Sequence, residues 1–96
     1  MARYDIHKFA NGYVVDVQAD LLADMTTRVV VPLRPHSEIP KPIGRLNPVI
    51  LIGDTRWVLL PQFIATVAVA ELGEVVGEFS EKFALTDALD MVFQGI

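Results

Sequence analysis

The chain has 96 residues, 52% of them hydrophobic, with eight basic against twelve acidic residues and a formal charge of −4; its pI is about 4.9. That length accommodates one domain and one core, and the absence of cysteine excludes disulfides and thiolate metal sites. The basic residues Arg3, Lys8, Arg28, Arg34, Lys41, Arg45, Arg56 and Lys82 form no run, which argues against a phosphate-binding face and so against direct nucleic-acid binding.

Arg3 to Phe9 alternates, with Tyr4 and Ile6 on one face and Asp5 and His7 on the other, and predicts a strand. Asn11-Gly12 then predicts a hairpin turn, because both residues tolerate positive φ, with Tyr13 to Val17 returning. Val29-Val30-Val31 is β-branched and continuous, as in a strand covered on both faces, and Pro32 places its end at an edge or bulge. Residues 34–48, with Pro35, Pro40, Pro42 and Pro48, read as the one long loop. Val49 to Ile52 and Thr55 to Leu60, joined by Gly53-Asp54, form a second hairpin in which Trp57 is a core anchor. Thr66 to Leu72 and Val75-Val76 add further strands. The chain closes on a helix: Ser80 as N-cap, Glu81 in the first turn, and an apolar stripe of Leu85, Ala88, Leu89, Val92 and Phe93. Gly95 is placed to end that helix. The expected fold is a mostly β, β-rich α+β domain spanning residues 1–96.

Catalytic chemistry is hard to assemble from these residues. His7 and His36 stand without metal-ligand spacing, and the Asp20/Asp24 and Asp87/Asp90 pairs read as solvated faces. No phosphate loop, nucleophile elbow or dinucleotide fingerprint occurs, so neither catalytic residues nor a metal or cofactor are expected. No apolar run reaches bilayer length and the start lacks a signal-peptide pattern, which predicts a cytoplasmic protein with no membrane partner. Mean hydropathy of +0.41 is high for so small a core, and the surplus apolar surface predicts a homodimer. Two apolar groups have two readings each. Leu21-Leu22, flanked by polar residues, either tucks under the sheet or is displayed as an anchor. Phe93 either completes the core stripe or belongs with Ile96 to a docking tip.

Four stretches in order resemble the CcdB family, the gyrase-poisoning toxins of toxin–antitoxin modules. Val15-Asp16-Val17-Gln18-Ala19-Asp20-Leu21-Leu22 resembles V-D-V-Q-S-D followed by two aliphatics, and Arg28-Val29-Val30-Val31-Pro32-Leu33 resembles R-x-V-I-P-L. Ile52-Gly53-Asp54 with Trp57 resembles I-G-D-x-x-W, and Glu81 to Ile96 resembles the terminal helix with its closing Gly-Ile. The resemblance implies a five-stranded, SH3-like antiparallel barrel of the CcdB/MazF/Kid type, with a three-stranded extra sheet and a C-terminal helix. It implies a homodimer with those helices at the two-fold axis, and a CcdA-like antitoxin with a disordered tail. It implies a non-enzymatic toxin that binds gyrase A and traps its covalent complex with cut DNA. The gyrase-binding positions it implies are Leu21, Leu22, Asp90, Phe93, Gln94, Gly95 and Ile96. Two positions depart from the pattern: Ala19 replaces Ser, and Gln94 replaces the Trp of F-W-G-I. The alternatives are a MazF-type endoribonuclease on the same fold and an inactive relative that only binds antitoxin.

Overall fold

The computed structural model describes residues 2–39 and 41–95. Seven strands and one helix follow in chain order: β1 (Asp5–Phe9), β2 (Gly12–Asp16), β3 (Thr27–Pro35), β4 (Val49–Ile52), β5 (Thr55–Leu59), β6 (Ala65–Ala68), β7 (Val75–Glu78) and α1 (Lys82–Gln94). All pairings are antiparallel and all strands join one sheet.

The nine-residue β3 organises that sheet. Along one side it pairs with β2. Along the other, Thr27–Val30 pairs with β6 and Leu33–Pro35 with β5. Two parts result: a five-stranded curl ordered β6-β3-β2-β1-β7, and a three-stranded β4-β5-β3, joined through the shared strand. This is the expected barrel-like sheet with its small extra sheet. Pro32 lies where β3 changes partner, and its carbonyl accepts from Leu60 N–H. A residue with no N–H costs least at such a changeover, where no ladder bond is required of it. Val30 and Val31 point to opposite faces and both are buried, which is why that run is continuously apolar.

The second hairpin follows expectation, with Gly53 at φ +63° opening the turn between Ile52 and Thr55. The first turn differs. Phe9 pairs with Gly12, so the two loop residues are Ala10 and Asn11, and the positive φ falls on Ala10 (+50°). Gly12 is kept small for another reason: a Cβ there would lie 3.3 Å from the Leu33 carbonyl oxygen and 3.7 Å from the Trp57 ring. Trp57 is half-buried and packs edge-to-face on Tyr13, with centroids 4.7 Å apart.

The proline segment is shorter as a loop than expected, because β3 continues through Pro35 into a 3-10 turn at His36–Glu38. Its far end is held by buried Asn47. The Asn47 amide donates to Leu59 O (3.1 Å) and Gln62 Oε1 (3.0 Å), and its Oδ1 accepts from Ile43 N–H (3.0 Å). The predicted Thr66–Leu72 strand divides into β6 and a 3-10 turn at Val69–Glu71.

One core cluster joins Ile6, Val15, Val17, Val31, Leu33, Leu59, Phe79 and Leu85, with Tyr4, Ile50, Trp57 and Leu89 packed against it. Helix α1 seats Leu85 and Ala88 completely, and Leu89 partly. Val92 is half-buried too, and the stripe ends there: Phe93 is 67% exposed. The helix also starts one residue later than expected, with Glu81 at the N-cap, so Ser80 lies outside it and no side chain caps it. Among the described residues no helix is long and apolar enough to cross a membrane.

Candidate partner-binding surface

The connection between β2 and β3 carries the leucine pair. A 3-10 turn at Asp20–Leu22 projects Leu21, which is 93% exposed, and Leu22 beside it is about half exposed. Of the two readings left open, display holds. Every residue from Ala19 to Thr26 is exposed, so no buried side chain anchors this stretch. Polar contacts fix it instead.

Asp16 ends β2 with its side chain fully buried. Its Oδ2 accepts from Arg28 Nε–H at 2.7 Å and lies 2.7 Å from Arg28 Nη2, and Arg28 is itself 1% exposed. The other oxygen, Oδ1, accepts from Gln18 N–H at 3.0 Å. The buried Gln18 side chain spans the mouth of the connection. Its Oε1 accepts from Val29 N–H (3.0 Å) on β3, and its Nε2 donates to Leu22 O (2.8 Å). On the outer side, Asp20 Oδ1 accepts from Arg3 N–H at 3.1 Å.

Asp16, Gln18 and Arg28 carry no site role in the sequence reading, yet they build this loop's foundation. Their signal was present in the sequence: two polar residues at alternate positions closing an apolar strand, with an arginine opening the next strand. A buried charge needs an opposite charge close by, and the chain offers that pairing across ten residues of connection.

The second group closes α1. Asp90, Phe93 and Gln94 are exposed, together with Phe83 one helix-length earlier. At 100° per residue Phe83, Asp90 and Gln94 share one face, and Phe93 flanks it. Gly95 takes φ +74°, ψ +16° and its N–H donates to Met91 O at 2.8 Å, a left-handed helix end as expected. Ile96 lies outside the described residues. Asp87 faces the proline segment, where Arg45 grips both carboxylate oxygens (2.5 and 2.8 Å) and holds that carboxyl below its ordinary range.

A chain of contacts runs from the loop toward the helix. The Asp20 loop touches Arg3, and the next residue, Tyr4, carries the Lys82 ammonium over its ring 5.2 Å from the centroid. Lys82 is the first residue of α1, and a 13-residue helix places Gln94 about 18 Å further on. The Lys82 end of the helix is thus joined through Tyr4 to the segment that Asp20 touches, while Phe93, Gln94 and Gly95 lie at the other end.

The two histidines lie in different surroundings. His7 is buried on β1 beside half-buried Asp5, with Nδ1 3.1 Å from Gly73 O. His36 sits in the 3-10 turn after β3. No three His, Asp or Glu residues among those described come together as a metal site.

A family model described as CcdB protein matches residues 3–95. Among solved structures, an endoribonuclease in complex with its cognate antitoxin from a mycobacterial species is similar at a TM-score of 0.80 and 17% identity, over 97% of this chain and 94% of that one. An endoribonuclease from a mycobacterial species gives the same score and identity, over 97% and 90%. At such identity the likeness is one of fold, and it agrees with the curled antiparallel sheet and terminal helix. The family match covers nearly every residue, including both exposed apolar groups: the chain belongs to the CcdB family, the toxins of toxin–antitoxin modules.

Proposed function

We propose that this chain, acting as one toxin domain over residues 1–96, binds gyrase A without covalent chemistry and traps gyrase on cleaved DNA. The observation that carries this reading is the pair of displayed apolar groups. Leu21 at 93% and Phe93 at 67% exposure stand at the two places where the resembled family meets gyrase. Large apolar side chains held out on ordered backbone are what an interface anchor requires. Leu22, Asp90, Gln94, Gly95 and Ile96 complete the proposed contact set. A poison of this kind works by population shift: it binds one state of the gyrase cycle better than the others and so holds the enzyme there.

The active form in this reading is a cytoplasmic homodimer. Two copies would double the contact set across the two-fold axis, and the exposed Leu51, Phe63 and Phe83 supply apolar area for self-association. An antitoxin is the second partner, supported by the family and by a structural neighbour solved with its cognate antitoxin.

The test is a gyrase cleavage assay with purified protein, Gln94→Trp, and a chain lacking the last three residues. The expected result is linear plasmid with the unmodified protein and none with the truncated one. Gln cannot stack as the family Trp does, so Gln94→Trp should raise affinity by roughly thirty-fold, the equivalent of about 2 kcal/mol for an aromatic hot spot. Uncleaved plasmid at micromolar dimer sinks the proposal. The fold shared with endoribonucleases supports the rival reading, and selective cleavage of RNA by the pure dimer would establish it instead.

A further inference from the structure

We infer that Gln18 is a positioning residue: its side chain, seated on the buried Asp16–Arg28 pair, holds Leu21 in its displayed conformation for the partner. This rests on the reading of Leu21 as a gyrase contact and adds to it the device that presents the contact.

The connection from Val17 to Thr26 has no apolar anchor over residues 19–26. A leucine on such a segment can fold back onto the surface or sample many directions, and binding must then order it. Here the residue on each side of Leu21 is tied, Asp20 by its side chain and Leu22 by its carbonyl. Asp20 Oδ1 accepts from Arg3 N–H, and the Leu22 carbonyl accepts from Gln18 Nε2 at 2.8 Å. Gln18 is able to do this because it is itself over-determined: its own N–H is held by Asp16 Oδ1, its Oε1 by Val29 N–H, and its side chain is buried. Beneath it lies the Asp16–Arg28 pair, where a flexible alternative would expose a charge to an apolar interior. Rigidity therefore passes from the ion pair to Gln18, from Gln18 to the Leu22 carbonyl, and so to Leu21. The two bonds of the Gln18 amide divide the work. One joins it to the sheet, and the other has no function in the sheet and serves only the loop.

Gln18→Glu separates them, since a carboxylate keeps the acceptor for Val29 N–H and removes the donor to Leu22 O. Its binding to gyrase A should fall about tenfold through a faster off-rate. Leu21→Ala should fall further, and Gln18→Glu added to Leu21→Ala should cause no additional loss. Amide hydrogen exchange is the second readout: in Gln18→Glu, Ala23 and Met25 should exchange faster while β1 and β5 keep their protection. Undiminished affinity in Gln18→Glu, or a loss that adds in full to that of Leu21→Ala, overturns the inference. If the unmodified protein does not bind gyrase A, the functional reading fails. The positioning role is then decided by exchange alone, and equal loop exchange in both proteins refutes it. Should Gln18→Glu fail to fold, the unmodified protein still decides. Slow exchange of the Gln18 side-chain amide protons upholds the bond to Leu22, and exchange at the solvent rate refutes it.

Discussion

The Leu21 loop and the tip of α1 both display an apolar side chain, but by opposite means. At the tip, helical phase does it. Leu85, Ala88 and Leu89 take the inward positions, and Phe93 is carried outward past the end of the surface they cover. At the loop, which is too short and irregular for periodicity to act, a buried charged pair and a glutamine do the same work. Exposure of a large apolar residue is thus specified as firmly by polar contacts beneath it as by apolar ones. Each region therefore has its own point of failure.

The largest expected effect breaks the loop from below. Asp16→Ala leaves the Arg28 guanidinium buried without its counter-charge, which costs about 3–5 kcal/mol of folding stability. Replacing both, with Arg28→Met added, should cost clearly less than the sum of the single changes, because no uncompensated charge remains. Chemical denaturation of the three variants checks this. Equal and additive losses would mean that the pair is not coupled.

Phe93→Ala probes the other region and should behave in the reverse way. The ring is mostly in solvent, so folding stability should move by no more than about 0.5 kcal/mol. Binding to gyrase A should weaken by roughly thirty-fold or more, about 2 kcal/mol, as expected for an aromatic anchor. Titration calorimetry beside thermal melting separates the two quantities. A large fall in melting temperature would show that Phe93 belongs to the core after all.

The same contrast explains how far the sequence could be read. Strand and helix positions were legible where period and turn chemistry act: the valine run of β3, the Gly53-Asp54 turn, the stripe of α1 and its Gly95 end. The first turn lies one residue earlier than Asn11-Gly12 suggests, because that pair imitates a turn whereas Gly12 is needed for its close approach to Leu33. The Ser80 cap failed for a related reason: a residue with capping chemistry stood one position outside the helix that packing defined. Leu21-Leu22 could not be resolved from sequence at all. Its exposure depends on Gln18 reaching Leu22 O within the loop and Val29 N–H on β3 at once, and the alternating Asp16 and Gln18 mark polar residues there without naming those partners. Phe93 is ambiguous because it lies four residues beyond Leu89 yet at the margin of the apolar stripe, where one side chain can go either in or out.

Gly95 tests how firmly the tip is held. Its φ of +74° is the left-handed conformation, and nothing lies within 4 Å of a Cβ placed there, so Gly95→Ala would meet strain without a clash. The expected cost is about 1 kcal/mol, read as a lower denaturation midpoint and faster exchange of the Gly95 and Gln94 amides. No change in either would mean that the tip is not fixed by its left-handed end.

The smallest expected effect concerns the ion pair that ties the proline segment to the middle of α1. Arg45 donates to both oxygens of Asp87 and lowers that carboxyl's pKa in the folded chain. A group whose pKa is lower folded than unfolded contributes stability that is fully present above the unfolded value, about 3.9 for Asp, and is lost as pH falls through the folded one. The pair lies at the surface, so solvent screens it and the contribution is modest. Denaturation midpoints of the unmodified protein and Asp87→Asn should therefore differ slightly but constantly near neutral pH, and the gap should close as the solution is acidified below about pH 4. High salt should narrow the same gap at neutral pH. Because the pair joins the helix flank rather than its end, gyrase A binding by Asp87→Asn should stay within twofold of the unmodified protein. A large binding loss would instead draw Arg45 and the proline segment into the partner surface, beside the two displayed groups.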